Sequence, residues 1–581
     1  MDDVLIVANC SGFYGDRASA LREVVDGGPV DVVTGDYLAE LTMLILFRAR
    51  AKDPTRGYAT TFLRQLEPVL ATIAERGTKV VVNAGGLAPA ACAAAVRDLA
   101  AALGLDLPVA HVEGDDLLSR VGELDLPNLD LTNLDTGTPL GDRTPLTANA
   151  YLGAWGIAAA LTAGAQVVVT GRVTDASLVV GPCAAHFGWA RDDWDRLAGA
   201  TAVGHVLECG AQATGGNYSF VREEVAQPVH PGFPLAMVSR DGSAVITKHP
   251  GTGGAVTVGT VTAQLLYEIG RPAYEGPDVT TDFGSLQLAQ DGPDRVRISR
   301  ARGWAPNGRI KVALNMLGGF RNSMTFVLTG LDVEGKAELA LAGLRDAYPH
   351  PFEHTLVRLD RADAPTNEQA AALLRVHVRG EDPTLLGRAF SAAAVELALA
   401  SYPGCTLTSQ PADAQPYGIY WPALVWLDDV EHVVVHADGR REVVPHTPFS
   451  RPLHGTDVAI DGRRWEGVQT RRVPLGTVAG ARSGDKGGNA NIGVWARTDE
   501  AADWLQAFLT EDVVHALLPE AQGLHVAVHP LPNLRAVNVV VRGLLGEGVA
   551  SSTRFDPQAK GLGEYLRSRL VDVPVSLLPT T

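Results

Sequence analysis

The chain has 581 residues, of which 46% are hydrophobic and 20% charged, enough to bury the cores of two or three domains. Its net charge of −17 disfavours general binding to a nucleic-acid backbone, although a single pocket can still be positive. Five scattered cysteines without CxxC spacing argue against a zinc site or a disulfide framework. The sequence shows neither a signal peptide pattern nor an apolar run of membrane-spanning length, so we predict a cytoplasmic protein.

The first 180 residues alternate short apolar strands with helices, including a helix predicted over 147–165. Such alternation predicts a doubly wound, mostly parallel sheet. Ligands of these sheets bind beyond the carboxyl ends of the strands, so the turns after the strands should converge on one rim. The predicted strands are VLIVAN (4–9), VDVVTGD (30–36), KVVVNAG (79–85), LPVAHVEG (107–114) and AQVVVTG (165–171).

After about residue 230 the pattern changes to strand pairs followed by helices, which predicts an α+β region over 231–455. A polar, Pro-rich stretch around 440–468 is interpreted as a linker. From Val473 the order strand, loop, strand, helix, strand pair, helix predicts a small α+β domain over 470–581. We therefore expect a main domain over 1–455 and a separate C-terminal domain.

Glycine-rich turns at the predicted rim suit an anionic ligand. ANCSGFYGDR (8–17) opens a helix and can hold a phosphate or carboxylate, although it lacks GxGxxG. The alternative is a plain turn in which Asp16 caps the helix. HPGTGGAVT (249–257) precedes another helix and is interpreted in the same way. The candidate ligand-binding residues of these turns are Asn9, Ser11, Gly12, Gly15, Asp16, Asp36, Asn83, Gly85, Gly86, Gly253 and Gly254.

The loop VTGRVTDASL (169–178) adds two charged candidates. Arg172 offers a bidentate donor for a carboxylate or phosphate. Asp175 is a candidate general base, metal ligand or helix N-cap, and these alternatives stay open.

GHVLECGAQATGGNYS (204–219) is the strongest catalytic candidate. His205, Glu208 and Cys209 have i,i+3 and i,i+4 spacings and therefore share a helix face. Glu208 suits acid–base catalysis, and Cys209 becomes a nucleophile if its pKa falls. The alternative is an inert buried cysteine.

The acids of YEIGRPAYEGPDVTTDF (267–283) are interpreted as solvated surface groups. The histidines show no HExxH or HxH spacing, so no metal site is predicted. The sequence requires no cofactor and leaves a divalent metal open.

ARSGDKGGNANIG (481–493) is predicted to form a loop between two strands. Its glycines expose backbone N–H groups that can hold an anion, but the P-loop spacing GxxxxGK[ST] is absent. The alternative is a long hairpin that docks against the main domain. The candidate ligand-binding residues are Arg482, Ser483, Asp485, Lys486 and Asn489.

Eight segments taken together resemble the acyclic terpene utilization A family: SGFYGDR, TGDYLAELTM, NAGGLAP, TGRVTDASL, LECGAQATGG, GTGG, LLYEIG and RSGDKGGNANIG. The resemblance covers most of the chain and implies a main domain to about residue 455 and a ferredoxin-like domain from about 470. The family is named from bacterial degradation of citronellol and geraniol. There it accompanies a biotin-dependent geranyl-CoA carboxylase, an enoyl-CoA hydratase and acyl-CoA dehydrogenases.

The resemblance implies an enzyme of acyl-CoA catabolism, with cleavage of a branched 3-hydroxyglutaryl-type CoA thioester as the first hypothesis. The second is an acyl-CoA hydrolase or transferase that uses Cys209. The third is a non-catalytic partner of a biotin-dependent acyl-CoA carboxylase. We expect a small acyl-CoA or carboxylate ligand, no nucleic-acid or membrane partner, and a homo-oligomer.

Overall fold

A computed structural model describes residues 3–124, 131–357, 364–450 and 462–579. The chain divides into two compact units, one formed by Met1–Asn315, Tyr420–Ser552 and Asp556–Thr581, the other by Met316–Ile419 and Thr553–Phe555. Part of the predicted linker, residues 451–461, lies outside the described residues. None of the helices in these ranges is both long and apolar enough to cross a membrane.

The strands of the described residues are β1 (Val4–Asn9), β2 (Val32–Gly35), β3 (Lys79–Val82), β4 (Val109–Glu113), β5 (Thr147–Ala150), β6 (Val167–Thr170), β7 (Pro234–Ser239), β8 (Ala244–Lys248), β9 (Ala273–Glu275), β10 (Thr280–Asp282), β11 (Gln287–Gln290), β12 (Val296–Ser299), β13 (Arg302–Trp304), β14 (Arg309–Leu328), β15 (Glu353–Val357), β16 (Ala372–Gly380), β17 (Thr406–Leu407), β18 (Gln415–Trp426), β19 (Val433–Val435), β20 (Arg441–Val443), β21 (Thr470–Pro474), β22 (Ala479–Lys486), β23 (Asn489–Ala496), β24 (Val526–Leu531), β25 (Ala536–Val541) and β26 (Leu570–Pro574).

The α-helices are α1 (Ala20–Gly27), α2 (Glu40–Lys52), α3 (Thr60–Leu66), α4 (Leu70–Arg76), α5 (Pro89–Ala102), α6 (Val121–Leu124), α7 (Trp155–Thr162), α8 (Ser177–Phe187), α9 (Trp194–Leu207), α10 (Val221–Glu224), α11 (Val258–Leu265), α12 (Val333–Ala347), α13 (Asn367–Ala370), α14 (Phe390–Glu396), α15 (Asp499–Phe508), α16 (Glu511–Leu517) and α17 (Leu562–Ser568).

An eleven-stranded sheet forms the centre of the first unit, in the order β11-β12-β8-β7-β1-β2-β3-β6-β4-β19-β20. The five strands from β1 to β4 in this order are parallel, which confirms the predicted α/β core. Antiparallel strands extend it at both edges, with β7 beside β1 and β19 beside β4. The sheet is therefore mixed, because chain segments far away in sequence complete its two edges.

Both faces of the parallel strands are covered, which explains their unbroken runs of valine. On one face, Val80 and Val169 belong to a buried cluster that includes Phe62 of α3 and Val96 of α5. The residues that alternate with them point to the opposite face, where α8 contacts β1 and β2 and α9 contacts β7 and β8. The strands are thus buried on both sides, and the turns after them carry the polar residues.

The prediction of a helix over 147–165 was wrong for the first residues of this range. Residues Thr147–Ala150 form β5, which pairs with residues 312–315 of β14. The helix α7 begins only at Trp155, and the Asp278 carboxylate accepts a hydrogen bond from the backbone N–H of Ala154 just before it. Pairing with a strand distant in sequence overrides the local helical pattern here.

The second unit is an α+β fold by itself. Its strands follow the order β15-β16-β14-β17, with residues 320–328 of β14 paired to β16. Phe326 of β14 and Leu374 of β16 pack with Leu344 of α12 and Phe390 of α14 in one buried cluster.

The C-terminal residues form a four-stranded antiparallel sheet, β22-β23-β25-β24, packed against α15, α16 and α17. The stretch 481–493 is a long hairpin, as the alternative interpretation had it, rather than a loop. Lys486 pairs with Asn489, so only Gly487 and Gly488 form the turn. Gly487 has φ of 62°, a conformation in which glycine avoids the strain of a side chain.

Two buried asparagines attach this sheet to the segment that follows α11. Asn491 donates to the side-chain oxygen of Asn538 and accepts a hydrogen bond of 2.7 Å from the backbone N–H of Glu268. Asn538 donates to the carbonyl groups of Ile269 and Gly270. These bonds fix the position of Glu268 against the C-terminal sheet.

We predict that Asn491→Leu lowers the free energy of unfolding by about 2 kcal/mol or more. The substitution leaves the backbone N–H of Glu268 and the side-chain oxygen of Asn538 without a hydrogen bond, at a cost of about 1–3 kcal/mol each. Thermal unfolding followed by circular dichroism measures this as a lower melting temperature. The control Asn367→Leu changes an exposed residue and should have little effect. An unchanged melting temperature for Asn491→Leu would show that these bonds do not anchor the segment.

Candidate active site

A cluster of charged side chains lies between the carboxyl ends of the parallel strands and the C-terminal hairpin. Arg172 and Glu208 expose only 4% and 6% of their surface, and His205 exposes 1%. Charged groups are seldom buried to this extent unless they are paired or used in function. The cluster contains Asp36, Glu40, Arg172, Asp175, His205, Glu208, Glu268, Lys311, Arg482, Asp485 and Lys486.

Arg172 and Asp175 form an ion pair in the turn after β6. Nη2 of Arg172 lies 3.0 Å from Oδ1 of Asp175, and Nη1 donates to the carbonyl of Leu38. The guanidinium also lies 4.1 Å from the centre of the Tyr151 ring. Burial raises the pKa of Asp175, and the positive charge of Arg172 opposes this rise. The carboxyl makes no side-chain cap on α8, which removes the N-cap alternative.

His205 and Glu208 occupy the end of α9, as their spacing predicted. Nδ1 of His205 lies 3.0 Å from Oε1 of Glu208. Burial lowers the pKa of His205 to about 4, so the ring is neutral at pH 7. Burial, together with the negative charges of Asp175 and Glu268, raises the pKa of Glu208 well above its usual value. The site thus holds a carboxyl group that resists ionisation next to a neutral imidazole.

Cys209 follows directly and is half-buried. Burial raises the pKa of its thiol well above the usual value, and the negative charges of Glu208 and Glu268 add to the rise. Arg482 and Lys560 oppose it without reversing it. These surroundings disfavour the thiolate that a cysteine nucleophile needs.

The prediction that the acids of 267–283 are solvated was wrong for Asp278, which is buried, while Glu268 is half-buried in the cluster. The negative charge of Glu268 acts to raise the pKa of His205, Glu208 and Asp485. Its backbone has φ of 57°, which is uncommon for a residue with a side chain. The hydrogen bond to Asn491 holds this conformation, a kind of strain that concentrates at functional sites.

The C-terminal hairpin supplies three of its five candidate residues to the cluster. Nζ of Lys486 donates to the carbonyl of Glu268 at 2.8 Å, and burial together with the charge of Lys311 lowers the pKa of Lys486. Burial and the charges of Glu268 and Glu40 raise the pKa of Asp485 to about 7. Arg482 lies over the ring of Tyr267, 4.6 Å from its centre.

The other two hairpin candidates have structural hydrogen bonds. Ser483 donates to the carbonyl of Ala559 and accepts from the backbone N–H of Gly563. Asn489 donates to the carboxylate of Asp135 and accepts from the backbone N–H of Gly543. Their polar atoms therefore hold the hairpin in place.

The polar residues of the strand-end turns mostly bond to one another. Oδ1 of Asn9 accepts from the N–H of Ser11, and the Asp16 carboxylate accepts from the N–H groups of Gly12 and Arg17. This arrangement ties up donors that the anion-binding interpretation assigned to the 8–17 turn. Asp16 closes the turn and is not the N-cap of α1, which is Ser19.

Asp36 and Asn83 behave in the same way. The Asp36 carboxylate accepts hydrogen bonds from Nδ2 of Asn83 and from the backbone N–H of Leu38. Burial and the nearby charge of Asp175 raise the pKa of Asp36 well above its usual value. These two residues form a layer beneath the Arg172–Asp175 pair, whose guanidinium also acts on Asp36.

The glycines of these turns allow close backbone packing. A Cβ atom on Gly12 would lie 2.7 Å from the backbone carbon of Cys209, and one on Gly85 would lie 2.4 Å from the carbonyl oxygen of Thr170. Gly15 and Gly86 similarly face Phe13 and Leu46. The glycines bring the 8–17 turn against the end of α9.

Gly253 and Gly254 belong to a different neighbourhood. The N–H of Gly254 donates to the carbonyl of Gln227, and Gly253 forms a bridge with Pro231. Thr257 caps α11 by accepting from the N–H of Thr260. Backbone N–H groups that the predicted anion site would need are therefore already bonded within the protein.

Several residues in or near the cluster were not among the site residues predicted from the sequence. Lys311 lies 3.5 Å from Glu40 and 4.8 Å from the ring centre of Tyr151. Tyr420 contacts Tyr151 through their hydroxyl groups. A lysine within the apolar run RIKVAL could have pointed to Lys311. Glu40 and Tyr420 are ordinary in the sequence, and only the fold brings them to the cluster.

A surface cavity of about 620 Å³ lies apart from these residues, next to His432 and His446. His446 contacts the carbonyl of Val430, and Trp155 donates to Thr447. These polar groups serve packing. In the described ranges, no group of three or more His, Cys, Asp or Glu side chains is arranged to hold a metal ion.

The fold and the buried cluster define an α/β protein with a ferredoxin-like C-terminal domain. The chain belongs to the acyclic terpene utilisation family AtuA, whose sequence model matches residues 5–436. The model of the AtuA ferredoxin-like domain matches residues 473–572. These matches confirm the resemblance found in the sequence, and the cluster draws residues from both matched regions. Neither the curated proteins nor the solved structures compared with the chain gave a match.

We predict that Cys209 reacts slowly with iodoacetamide at pH 7.5, because each unit of raised pKa lowers the thiolate fraction about tenfold. Peptide-resolved mass spectrometry over time gives the rate. The half-buried Cys405 and the urea-unfolded protein are the controls, and both should label faster at the same pH. A rate for Cys209 above that of the unfolded protein would contradict the assignment and favour an activated thiol.

We also predict that Glu208→Gln stabilises the protein increasingly between pH 5 and pH 8. The raised pKa means that the folded state keeps a proton that the unfolded state releases, so rising pH lowers the stability of the wild type. The loss is at most about 1.4 kcal/mol per pH unit for one group, and glutamine does not ionise. Melting temperatures measured across this range should therefore diverge.

The exposed substitution Glu564→Gln is the control for this comparison and should show no such divergence. A gap between wild type and Glu208→Gln that stays constant with pH would show that Glu208 ionises alike in both states.

Proposed function

We propose that this protein is a carbon–carbon lyase that cleaves a branched 3-hydroxyglutaryl-type acyl-CoA in acyclic terpene catabolism. The observation that carries the proposal is a pair of carboxyl groups in different surroundings, the half-buried Asp175 and the buried Glu208. Asp175 is paired with Arg172, whereas Glu208 lies beside the neutral His205. Two carboxyl groups whose environments differ can act as base and acid in one reaction.

In the first step, Asp175 accepts the proton of the 3-hydroxyl group. Its pairing with Arg172 favours the ionised form that this step needs. The bond between C2 and C3 breaks, C3 becomes a ketone carbon, and the electron pair of the bond passes to the C2 fragment as an enolate. The positive charges of Arg172 and Lys311 stabilise the enolate oxygen.

In the second step, Glu208 donates its proton to C2. Its raised pKa favours the protonated form, which is the form that an acid needs when the carbanion appears. Water then returns the proton to Glu208 and removes the one held by Asp175, so atoms and charge balance.

The thiol-dependent hydrolase is the weaker candidate because burial and the negative charges of Glu208 and Glu268 oppose the ionisation of Cys209. The role as a partner of an acyl-CoA carboxylase rests on the setting of the family alone. The cytoplasmic location and the homo-oligomer stay predictions.

We predict that the purified protein converts 3-hydroxy-3-methylglutaryl-CoA, used as a stable probe of the substrate class, into two fragments detectable by mass spectrometry. Glu208→Gln and Asp175→Asn should each lower kcat by about 10²–10⁴-fold, since each removes one proton transfer. The exposed Glu564→Gln is the matched control and should retain activity.

Absence of cleavage for this thioester and for longer branched analogues would overturn the lyase proposal. Full activity in Glu208→Gln would remove Glu208 from the acid role, and the same result in Asp175→Asn would remove Asp175 from the base role.

A further inference from the structure

Arg482 is a buried cation that no carboxylate of the described residues pairs with, although the negative charge of Glu268 acts on it. It exposes 8% of its surface, yet it makes no ion pair with a carboxylate anywhere in the described chain. Nη1 reaches the carbonyl of Asn217 at 3.4 Å, and the buried Nη2 has no hydrogen-bond partner among the described residues. Arg172 is buried to a similar extent but has Asp175 at 3.0 Å. The two arginines therefore differ in what neutralises them.

An unpaired buried charge costs several kcal/mol, and protein interiors normally avoid it. Burial lowers the pKa of Arg482, which is the physical sign of the same cost. If the residue at this position served only for packing, a neutral side chain would cost less free energy than an arginine. An anion bound from outside the chain would neutralise the charge of Arg482 and so explain why an arginine is found here.

Lys560 provides a second cation at the same place. Its Nζ donates to the hydroxyl of Tyr267 and lies 4.4 Å from the centre of that ring, while Arg482 lies 4.6 Å from it. Lys560 is exposed, so this part of the cluster is open to solvent. The charges of both residues act on Cys209, and Cys209 adjoins the proposed acid Glu208.

We propose that Arg482 and Lys560 bind the free carboxylate of the substrate, which makes the site selective for thioesters of dicarboxylic acids. This inference rests on the proposed lyase function and names the feature that the substrate must carry. The fork of donors on a guanidinium matches the two oxygens of a carboxylate, and the ammonium adds charge at the entrance. A CoA phosphate carries similar oxygens, and the experiment separates the two sources.

Isothermal titration calorimetry of the full chain tests the proposal with three ligands. These are 3-hydroxy-3-methylglutaryl-CoA, 3-hydroxybutyryl-CoA, which lacks the free carboxylate, and free CoA. We expect the wild type to bind the first ligand most tightly. Arg482→Gln should weaken that ligand by about 10–100-fold, the usual range for a lost charged hydrogen bond, and leave the other two unchanged.

Two further variants control the experiment. Lys560→Gln changes an exposed residue, so it keeps the test decisive if Arg482→Gln fails to fold, and it should give a smaller, selective loss. Arg472→Gln removes an exposed arginine of the same domain, paired with Asp572, and should bind all three ligands as the wild type does.

The proposal is overturned if the wild type binds none of the ligands, if it shows no preference for the dicarboxylate, or if neither variant changes that preference. Equal weakening of all three ligands would assign the cations to a CoA phosphate instead. The outcome also separates the two proposals. Selective binding without cleavage retains the carboxylate site and rejects the lyase, whereas cleavage that ignores both substitutions retains the lyase and rejects the carboxylate site.

Discussion

The free-energy cost of burying charge governs this structure. Carboxylates and cations gather where the turns after the parallel strands meet the C-terminal hairpin, and each must be neutralised, hydrogen-bonded or kept from ionising. Arg172 forms an ion pair with Asp175, and the ammonium of Lys486 donates a hydrogen bond to the carbonyl of Glu268. Burial favours the protonated, uncharged form of Glu208. Groups forced into these states by burial are poised for proton transfer, and the protein accepts a loss of stability to keep them so.

A layer of satisfied polar groups supports the charged ones. Asp36 and Asn83 bond to each other, and Asn9 bonds within its own turn. Because their donors and acceptors are already used, Asp36 and Asn83 fix the turn that contains Leu38, whose carbonyl accepts a hydrogen bond from Arg172. The polar residues of the strand-end turns therefore form two groups. One group stabilises the turns through hydrogen bonds, and the other supplies the candidate groups for proton transfer. The division depends on hydrogen-bond partners that residue types do not reveal.

The same distinction explains what the sequence could predict. Local patterns sufficed for the parallel strands, because valine runs buried on both faces are continuous, and for His205 and Glu208, because i,i+3 spacing is fixed by the helix. Strand β5 and the junctions of β7 with β1 and of β19 with β4 could not be predicted, because each depends on a pairing partner more than a hundred residues away. Glu268 and Lys311 escaped for the same reason, since only the assembled chain surrounds them with charge.

The C-terminal sheet is best understood as a part of the site. Ferredoxin-like folds serve many unrelated functions, so the fold by itself says nothing about chemistry. Here, however, Asn491 holds the backbone of Glu268 in a left-handed conformation, and β22 carries Arg482, Asp485 and Lys486 to the carboxyl ends of the parallel strands. Burial raises the pKa of Glu208, and the positive charge of Lys486 on the hairpin opposes that rise. The C-terminal domain therefore acts on the proton affinity of the proposed acid as well as supplying cations to the site.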